Sequence, residues 1–305
     1  MILLTGATGL VGQKLKRALQ SSNQEVVCSS RKPAKGIGDI QWNPEEPALL
    51  KIDLSPYQHI VHLAGENISG ARWTKAFKER LWKSRISSTQ ILVDQILKMK
   101  TPPASFICAS AVGYYGNQDE AICSEQSSRG LGFLSELCEA WESETSRLVK
   151  ADIRVVNLRI GIVLSTEGGA LTKMLPAFKW GLGGSLGSGN QWMSWIDIED
   201  LIQLILFSLE QPSIRGPLNC VSPNPVRNSE FTATLAKLLH RPVGPRAPEW
   251  VLRAALGEMA EALLLASIRV EPRRALKEGF KFKYSNLRDS LSRLLTNSIE
   301  RGGLN

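Results

Sequence analysis

Apolar positions along this chain follow two rhythms. Short segments rich in apolar residues fall near 2–4, 25–30, 38–42, 59–65, 106–111 and 153–164, and they read as strands of a buried sheet. Between them, apolar residues recur at helical spacing over 10–19, 73–100 and 133–142. In the second of these stretches Ile86, Leu92, Val93, Ile96 and Leu97 form the apolar face, and Pro102 and Pro103 end the helix. A later strand is expected at 217–222 and a helix at 226–239. Strands that alternate with helices predict an α/β fold with a doubly wound parallel sheet. The pattern divides the chain into a core at 1–164, to which 196–221 returns, and a smaller interleaved subdomain at 165–195 and 222–305. The longest apolar stretches, 201–209 and 263–268, are too short to span a bilayer and read as buried helix.

The first strand–helix junction carries the most specific chemistry. Thr5 is followed by Gly6, Thr8, Gly9, Leu10, Val11 and Gly12, with the periodic helix starting at Leu10. A glycine-rich turn lets backbone approach a pyrophosphate, and the helix N-terminus offers free N–H groups and a positive dipole end. Gly6 is expected to form the tight turn, Gly9 to clear the phosphate path, and Gly12 to let the helix lie on the strand. This makes 1–164 a Rossmann-type dinucleotide-binding core. The spacing G-x-x-G-x-x-G resembles the extended branch of the short-chain dehydrogenase/reductase superfamily.

The cofactor follows from the end of the second strand. An acidic residue there would bind a ribose 2′-hydroxyl and select NAD. This chain has Ser30, Arg31 and Lys32, and Arg31 lies 19 residues after Gly12, near the usual offset of about 20. A guanidinium and an ammonium there would pair with a 2′-phosphate, so NADP(H) is the expected cofactor.

Composition narrows the function classes. The net charge is +8, yet no basic stripe with interleaved aromatics appears, so an anionic cofactor explains the charge better than nucleic acid does. Five scattered cysteines and three histidines show no metal-ligand spacing. With a strand opening at residue 2, no leader and no membrane anchor are expected, and a reduced, cytoplasmic compartment follows. The expected partners are a small-molecule substrate and, as the candidate assembly, a homodimer.

Further segments sharpen the resemblance. His62-Leu63-Ala64-Gly65 is similar to the stretch that lines the dinucleotide in the extended branch. Ala64-Gly65-Glu66-Asn67-Ile68, then Arg72-Trp73, Ser84-Arg85 and a C-terminal extension around 248–284 resemble a little-characterised epimerase-like family. That resemblance implies that Arg85 faces the cofactor and that Arg159 and Ile162 lie beside the nicotinamide.

The catalytic candidates depart from the superfamily. Ser110 is the candidate for the serine that bonds the reacting oxygen, although alignment on Tyr115-Gly116 puts Ala111 at that position. The usual Tyr-x-x-x-Lys pair is replaced by Leu134 and Cys138 if Glu142 keeps its place in the motif. In the superfamily the lysine and the nicotinamide lower the tyrosine pKa for acid–base work. Tyr114 or Tyr115 is the reserve acid here, and Cys138 reads as a buried thiol. Two readings stay open: an NADP-dependent oxidoreductase or epimerase-like enzyme acting on a small, nucleotide-linked or otherwise anionic substrate, and a non-catalytic NADP(H)-binding sensor.

Overall fold

A computed structural model of the protein describes residues 1–31, 39–46 and 52–300, the last three by their backbone alone. Lys32 lies outside the described residues, as does the start of the expected third strand at Gly38. In chain order the elements begin with β1 (Ile2–Thr5), α1 (Leu10–Ser21), β2 (Val26–Ser30), β3 (Ile40–Gln41) and β4 (His59–His62). Next come α2 (Lys75–Trp82), α3 (Ser88–Ile96), β5 (Ser105–Ala111), β6 (Ile122–Cys123), α4 (Phe133–Val149), β7 (Arg154–Ile160) and β8 (Ile162–Leu164). A π-turn at Lys83–Ser87 interrupts the single helix expected over 73–100. The chain continues with α5 (Gly169–Lys179), β9 (Trp192–Met193), β10 (Trp195–Asp197), α6 (Ile198–Glu210), β11 (Gly216–Cys220), β12 (Val226–Arg227) and α7 (Asn228–Leu238). It closes with α8 (Glu249–Leu256), α9 (Glu258–Ala260), β13 (Arg269–Val270), α10 (Arg273–Lys277) and α11 (Leu287–Glu300).

Seven strands form the main sheet in the order β11-β7-β5-β4-β1-β2-β3. Pairing is parallel from β5 through β4, β1 and β2 to β3. This is the doubly wound arrangement, in which the strand order reverses between β1 and β4 and opens a crevice beyond the carboxyl ends of those strands. Leu3, Leu4, Ile60, Val61, Phe106 and Ile107 are fully buried, as expected for strands covered on both faces. The register aligns Thr5 with Ser29 and with His62, so the residues that follow these three share one edge of the sheet.

The chain divides into two compact units. The first comprises 1–111, 136–159 and 202–218, and the second comprises 112–135, 160–201 and 219–305. Within the first, Arg154 closes the end of α6. Its guanidinium donates to the carbonyls of Ser208 at 2.8 Å, Leu209 at 3.1 Å, and Gln211 and Ile214 at 3.3 Å. Terminal helix carbonyls lack intrahelical donors, so a buried cation there satisfies several at once. Within the second unit, Asp197 is fully buried and caps α6 by accepting from Glu199 N at 2.8 Å. Its carboxylate also accepts from Ser290 Oγ at 2.5 Å and from Arg293 Nη2 at 2.7 and 2.8 Å. Those bonds fasten α11. Asp197 is therefore a structural carboxylate of the kind its N-cap position implies.

His62 is a packed strand residue. Its Nδ1 lies 2.7 Å from Thr5 Oγ1, and burial lowers its pKa from 6.5 to about 3. Between those two values the unfolded chain binds a proton that the folded chain refuses. Stability should therefore fall as pH drops from about 6.5 towards 3, by up to about 1.4 kcal/mol per pH unit from this residue. Urea melts at neutral pH and near pH 5 should show this loss, and His62→Gln should flatten it. An equal loss in the variant would assign the slope to other groups.

Candidate functional site

The crevice beyond β1, β2 and β4 is built by close backbone approaches. Gly6 has φ +71°, and a Cβ there would come within 2.6 Å of Leu63 C and O. Only glycine suits both demands. Gly9 N donates to Gly6 O at 3.0 Å. A Cβ on Gly12 would sit 2.2 Å from Gly6 O, so that glycine lets α1 pack against the turn. Gly9 differs from both. Its φ is −77°, and a Cβ there would meet nothing nearer than Gly6 O at 3.4 Å. The polypeptide does not need glycine at that point, whereas a ligand entering the turn would.

Gly9 caps α1 without a side chain, and the first turn carries no acidic residue. The N–H groups of Leu10 and Val11 therefore open the helix facing an uncapped end, the usual anion-binding arrangement. Gln13 Nε2 donates to Thr8 O at 2.8 Å and braces the turn. Beside it lies a cavity of about 200 Å³, and Gly6, Thr8, Gly9, Ser29, Ser30 and Arg31 form one side of it. Leu63, Ala64, Gly65, Glu66, Ser84 and Ser88 also line it. Ser29 Oγ is buried in this wall and, among the described residues, has no hydrogen-bond partner. A buried hydroxyl without a partner is costly. Glycines, serines and an exposed arginine fit the phosphates and ribose of a dinucleotide.

Arg85 supports this cradle from behind the fourth strand. Its Nη2 donates to Glu66 O at 2.8 Å, and a Cβ on Gly65 would reach its Cζ at 3.3 Å. Its guanidinium also lies over the Trp141 ring, 5.3 Å from the centroid. Ser84 Oγ accepts from Glu66 N at 3.0 Å. The π-turn at 83–87 carries both side chains, so it positions the 65–66 turn.

The catalytic candidates separate. Ser110 is buried, and its hydroxyl donates to Glu142 Oε1 at 2.7 Å. Arg159 holds the same carboxylate with Nε at 2.9 Å and Nη2 at 2.8 Å. Arg159 is only 3% exposed, so this arginine is committed to the core. Its guanidinium, at a position expected to lie beside the cofactor, is held in a buried ion pair. Tyr115 is fully buried, and its hydroxyl donates to Asn219 Oδ1 at 2.6 Å. That bond makes it a core residue, whereas Tyr114 is half-buried. The two rings meet edge to face, 5.5 Å apart. Ile162 lies in β8, paired with Trp195, and is half-buried.

On α4, Leu134 packs beneath Gly113, where a Cβ would come within 3.2 Å of its side chain. Cys138 is buried, and burial raises its thiol pKa to about 11 against the opposing pull of Arg85. A thiol so raised stays protonated and unreactive. Neither residue can replace the tyrosine–lysine pair. The residues missed by the sequence reading are Ser29 and the Glu142–Arg159 clasp. Glu142 stood out only as a motif neighbour, and nothing local announced its partners.

The model of the NAD dependent epimerase/dehydratase family matches residues 2–219. The chain belongs to that family. A domain of unknown function, DUF1731, matches residues 247–294 and covers α8 through most of α11. Among curated members, Epimerase family protein Mb2239 of Mycobacterium bovis is 38% identical over 291 residues, covering 95% of this chain and 96% of that protein. The chloroplastic SDR39U1 homolog of Arabidopsis thaliana is 37% identical over 96% of this chain and 86% of its own length. The crystal structure of human epimerase family protein SDR39U1 (isoform2) with NADPH superposes with a TM-score of 0.90 at 34% identity, covering 97% of this chain and 99% of that one. The seven-stranded sheet is thus the epimerase/dehydratase family fold. Among the described residues, no helix is long and apolar enough to cross a membrane.

Proposed function

We propose that this epimerase/dehydratase family member binds NADP(H) in the first unit and acts as an oxidoreductase or epimerase-like enzyme on a small molecule. Gly9 carries this reading, because the fold leaves space there that the polypeptide does not require. Two further features support it: Arg31 lines the cavity at the end of β2, and the human relative carries NADPH. Bound there, NADP(H) would supply a hydride donor or acceptor. Leu10 and Val11 N–H would hold the pyrophosphate. Ser29, Ser30 and Arg31 would hold the adenosine ribose and its 2′-phosphate. Tyr114 is the residue proposed to move a proton. Residues 165–195 and 222–305 are proposed to shape the substrate side, and the buried thiols support a reducing, cytoplasmic setting.

A specific observation favours the second reading, a non-catalytic NADP(H)-responsive protein. Ser110 is bound to Glu142 and Tyr115 to Asn219, and Leu134 and Cys138 fall where tyrosine and lysine usually act if Glu142 keeps its place in the motif. The two readings differ in one measurement. Tyr114→Phe should abolish turnover and leave NADPH affinity unchanged if the chain is an enzyme; without any turnover in a broad carbonyl and carbinol screen, the sensor reading stands.

The cofactor is tested by titration. NADPH should bind more tightly than NADH, and Arg31→Glu should remove or reverse a preference of about 100-fold, the size of a lost charge-assisted contact plus a new repulsion. Ligand fluorescence reads this directly. Equal affinity for both cofactors in the native chain would refute the 2′-phosphate assignment.

A further inference from the structure

The second unit holds a cavity of about 480 Å³ lined only by its own residues, a size typical of small-molecule sites. Part of its wall is apolar, with Leu131, Phe133, Leu134, Leu265 and Ile268. Its charged lining is one-sided: Asp119, Glu120, Glu249, Glu258 and Glu261 face the single guanidinium of Arg253. Arg253 is bonded to Glu261 and lies 3.2 Å from Glu249, while Glu120 is paired outside the lining with Arg227 at 2.8 Å. Five carboxylates against Arg253, Arg227 and Arg269, the last also acting on Glu120, leave a net charge of about −2. The whole chain carries +8, so this lining opposes the general sign of the protein.

Of the polar side chains in the lining, Gln191 stands apart from Ser135, Ser267 and Asn117. Ser135 Oγ donates to Gly113 O at 2.9 Å, and Ser267 Oγ donates to Asp119 O at 2.6 Å. Asn117 Nδ2 donates to Asp119 Oδ1 at 2.9 Å. Ser267 Oγ also accepts from Trp192 N at 3.1 Å, and Asn117 Oδ1 from Ser267 N at 2.7 Å, so these side chains are satisfied within the protein. Gln191 lines the cavity at 6% exposure. Its Nε2 donates to the carbonyls of Leu186 at 3.0 Å and Leu264 at 2.9 Å, which fixes the orientation of the amide. Its Oε1 is buried and, among the described residues, has no donor. A buried acceptor left without a donor costs free energy, and a ligand N–H would recover it.

We propose that this cavity binds an organic cation, an apolar body carrying a protonated amine. The ammonium supplies the donor that Gln191 Oε1 lacks and a positive charge for the acidic lining, and the apolar wall takes the body. A nucleoside diphosphate fits poorly, because its two negative charges would face the acidic rim. The site rests on the second unit alone and does not depend on the cofactor reading.

The test uses the full chain without cofactor. Spermidine and phenethylamine are titrated alongside neutral 2-phenylethanol and anionic UDP-glucose, with the Gln191 side-chain amide resonance followed by NMR. At least one amine should bind and shift that resonance, while the alcohol and UDP-glucose should not. Asp119→Asn combined with Glu258→Gln removes two rim charges at exposed positions and should weaken amine binding about tenfold. The proposal is overturned if neither amine binds, if the alcohol or UDP-glucose binds as tightly, or if the double variant binds the amine unchanged.

Discussion

Replacing Glu142 by alanine is expected to lower the unfolding free energy by about 3–5 kcal/mol, the usual cost of removing one partner from a buried ion pair. Arg159 would lose the carboxylate that it holds through two bonds at 2.9 and 2.8 Å. Ser110 would lose the acceptor of its hydroxyl proton. Glu142→Gln keeps the shape and an acceptor oxygen, so it should cost less. The double replacement Glu142→Leu with Arg159→Met should recover much of the loss, because an apolar pair of similar volume needs no compensation. Urea denaturation of the three variants measures these differences. A loss under about 1 kcal/mol in Glu142→Ala would mean that water reaches the pair and screens it. The same series bears on chemistry. If Ser110 is held only for packing, Glu142→Gln should leave NADPH affinity unchanged while shifting the melting midpoint.

The contrast between Ser110 and Gly9 explains what the sequence made legible. Gly6, Gly9 and Gly12 fall within one local turn, so their spacing alone encodes a strand, a turn and a helix start. The doubly wound order follows from the same alternation of runs and periods. Ser110 and Ala111 illustrate the opposite case. Strand residues alternate between faces, so a shift of one position decides whether a hydroxyl meets the core or the crevice. Ser110 lies on the buried face, bonded to Glu142, and Ala111 is half-buried. Tyr114 and Tyr115 diverge in the same way across the tight turn at Val112–Tyr115. Asn219 pairs with Tyr115 from 104 residues away. No local pattern carries a partner at that distance, which is why both tyrosines read equally as acids from sequence. The Glu142–Arg159 clasp was hidden for a related reason, since it joins a helix to the next strand and depends on side-chain direction.

Gly9→Asp should raise or preserve the melting temperature and lose NADPH binding, two effects of opposite sign from one side chain. Aspartate is among the best N-cap residues and would accept from the free N–H groups of α1. Its charge also complements the helix dipole. The backbone at Gly9 has φ −77° and ψ 168°, which suits a capping residue, and its Cβ would have 3.4 Å of clearance from Gly6 O. The carboxylate would then occupy the place proposed for the pyrophosphate and repel it. A loss of at least about 100-fold in affinity, roughly 3 kcal/mol, is expected. Gly12→Ala supplies the comparison. Its Cβ would sit 2.2 Å from Gly6 O, so the turn must shift, and a destabilisation of about 1–3 kcal/mol or more is expected. In that variant, binding and stability should fall together. Calorimetric melting and NADPH titration of the two variants separate a glycine kept for the fold from a glycine kept for a ligand. Native affinity in Gly9→Asp would move the pyrophosphate away from this helix end and remove the main support for the cofactor reading.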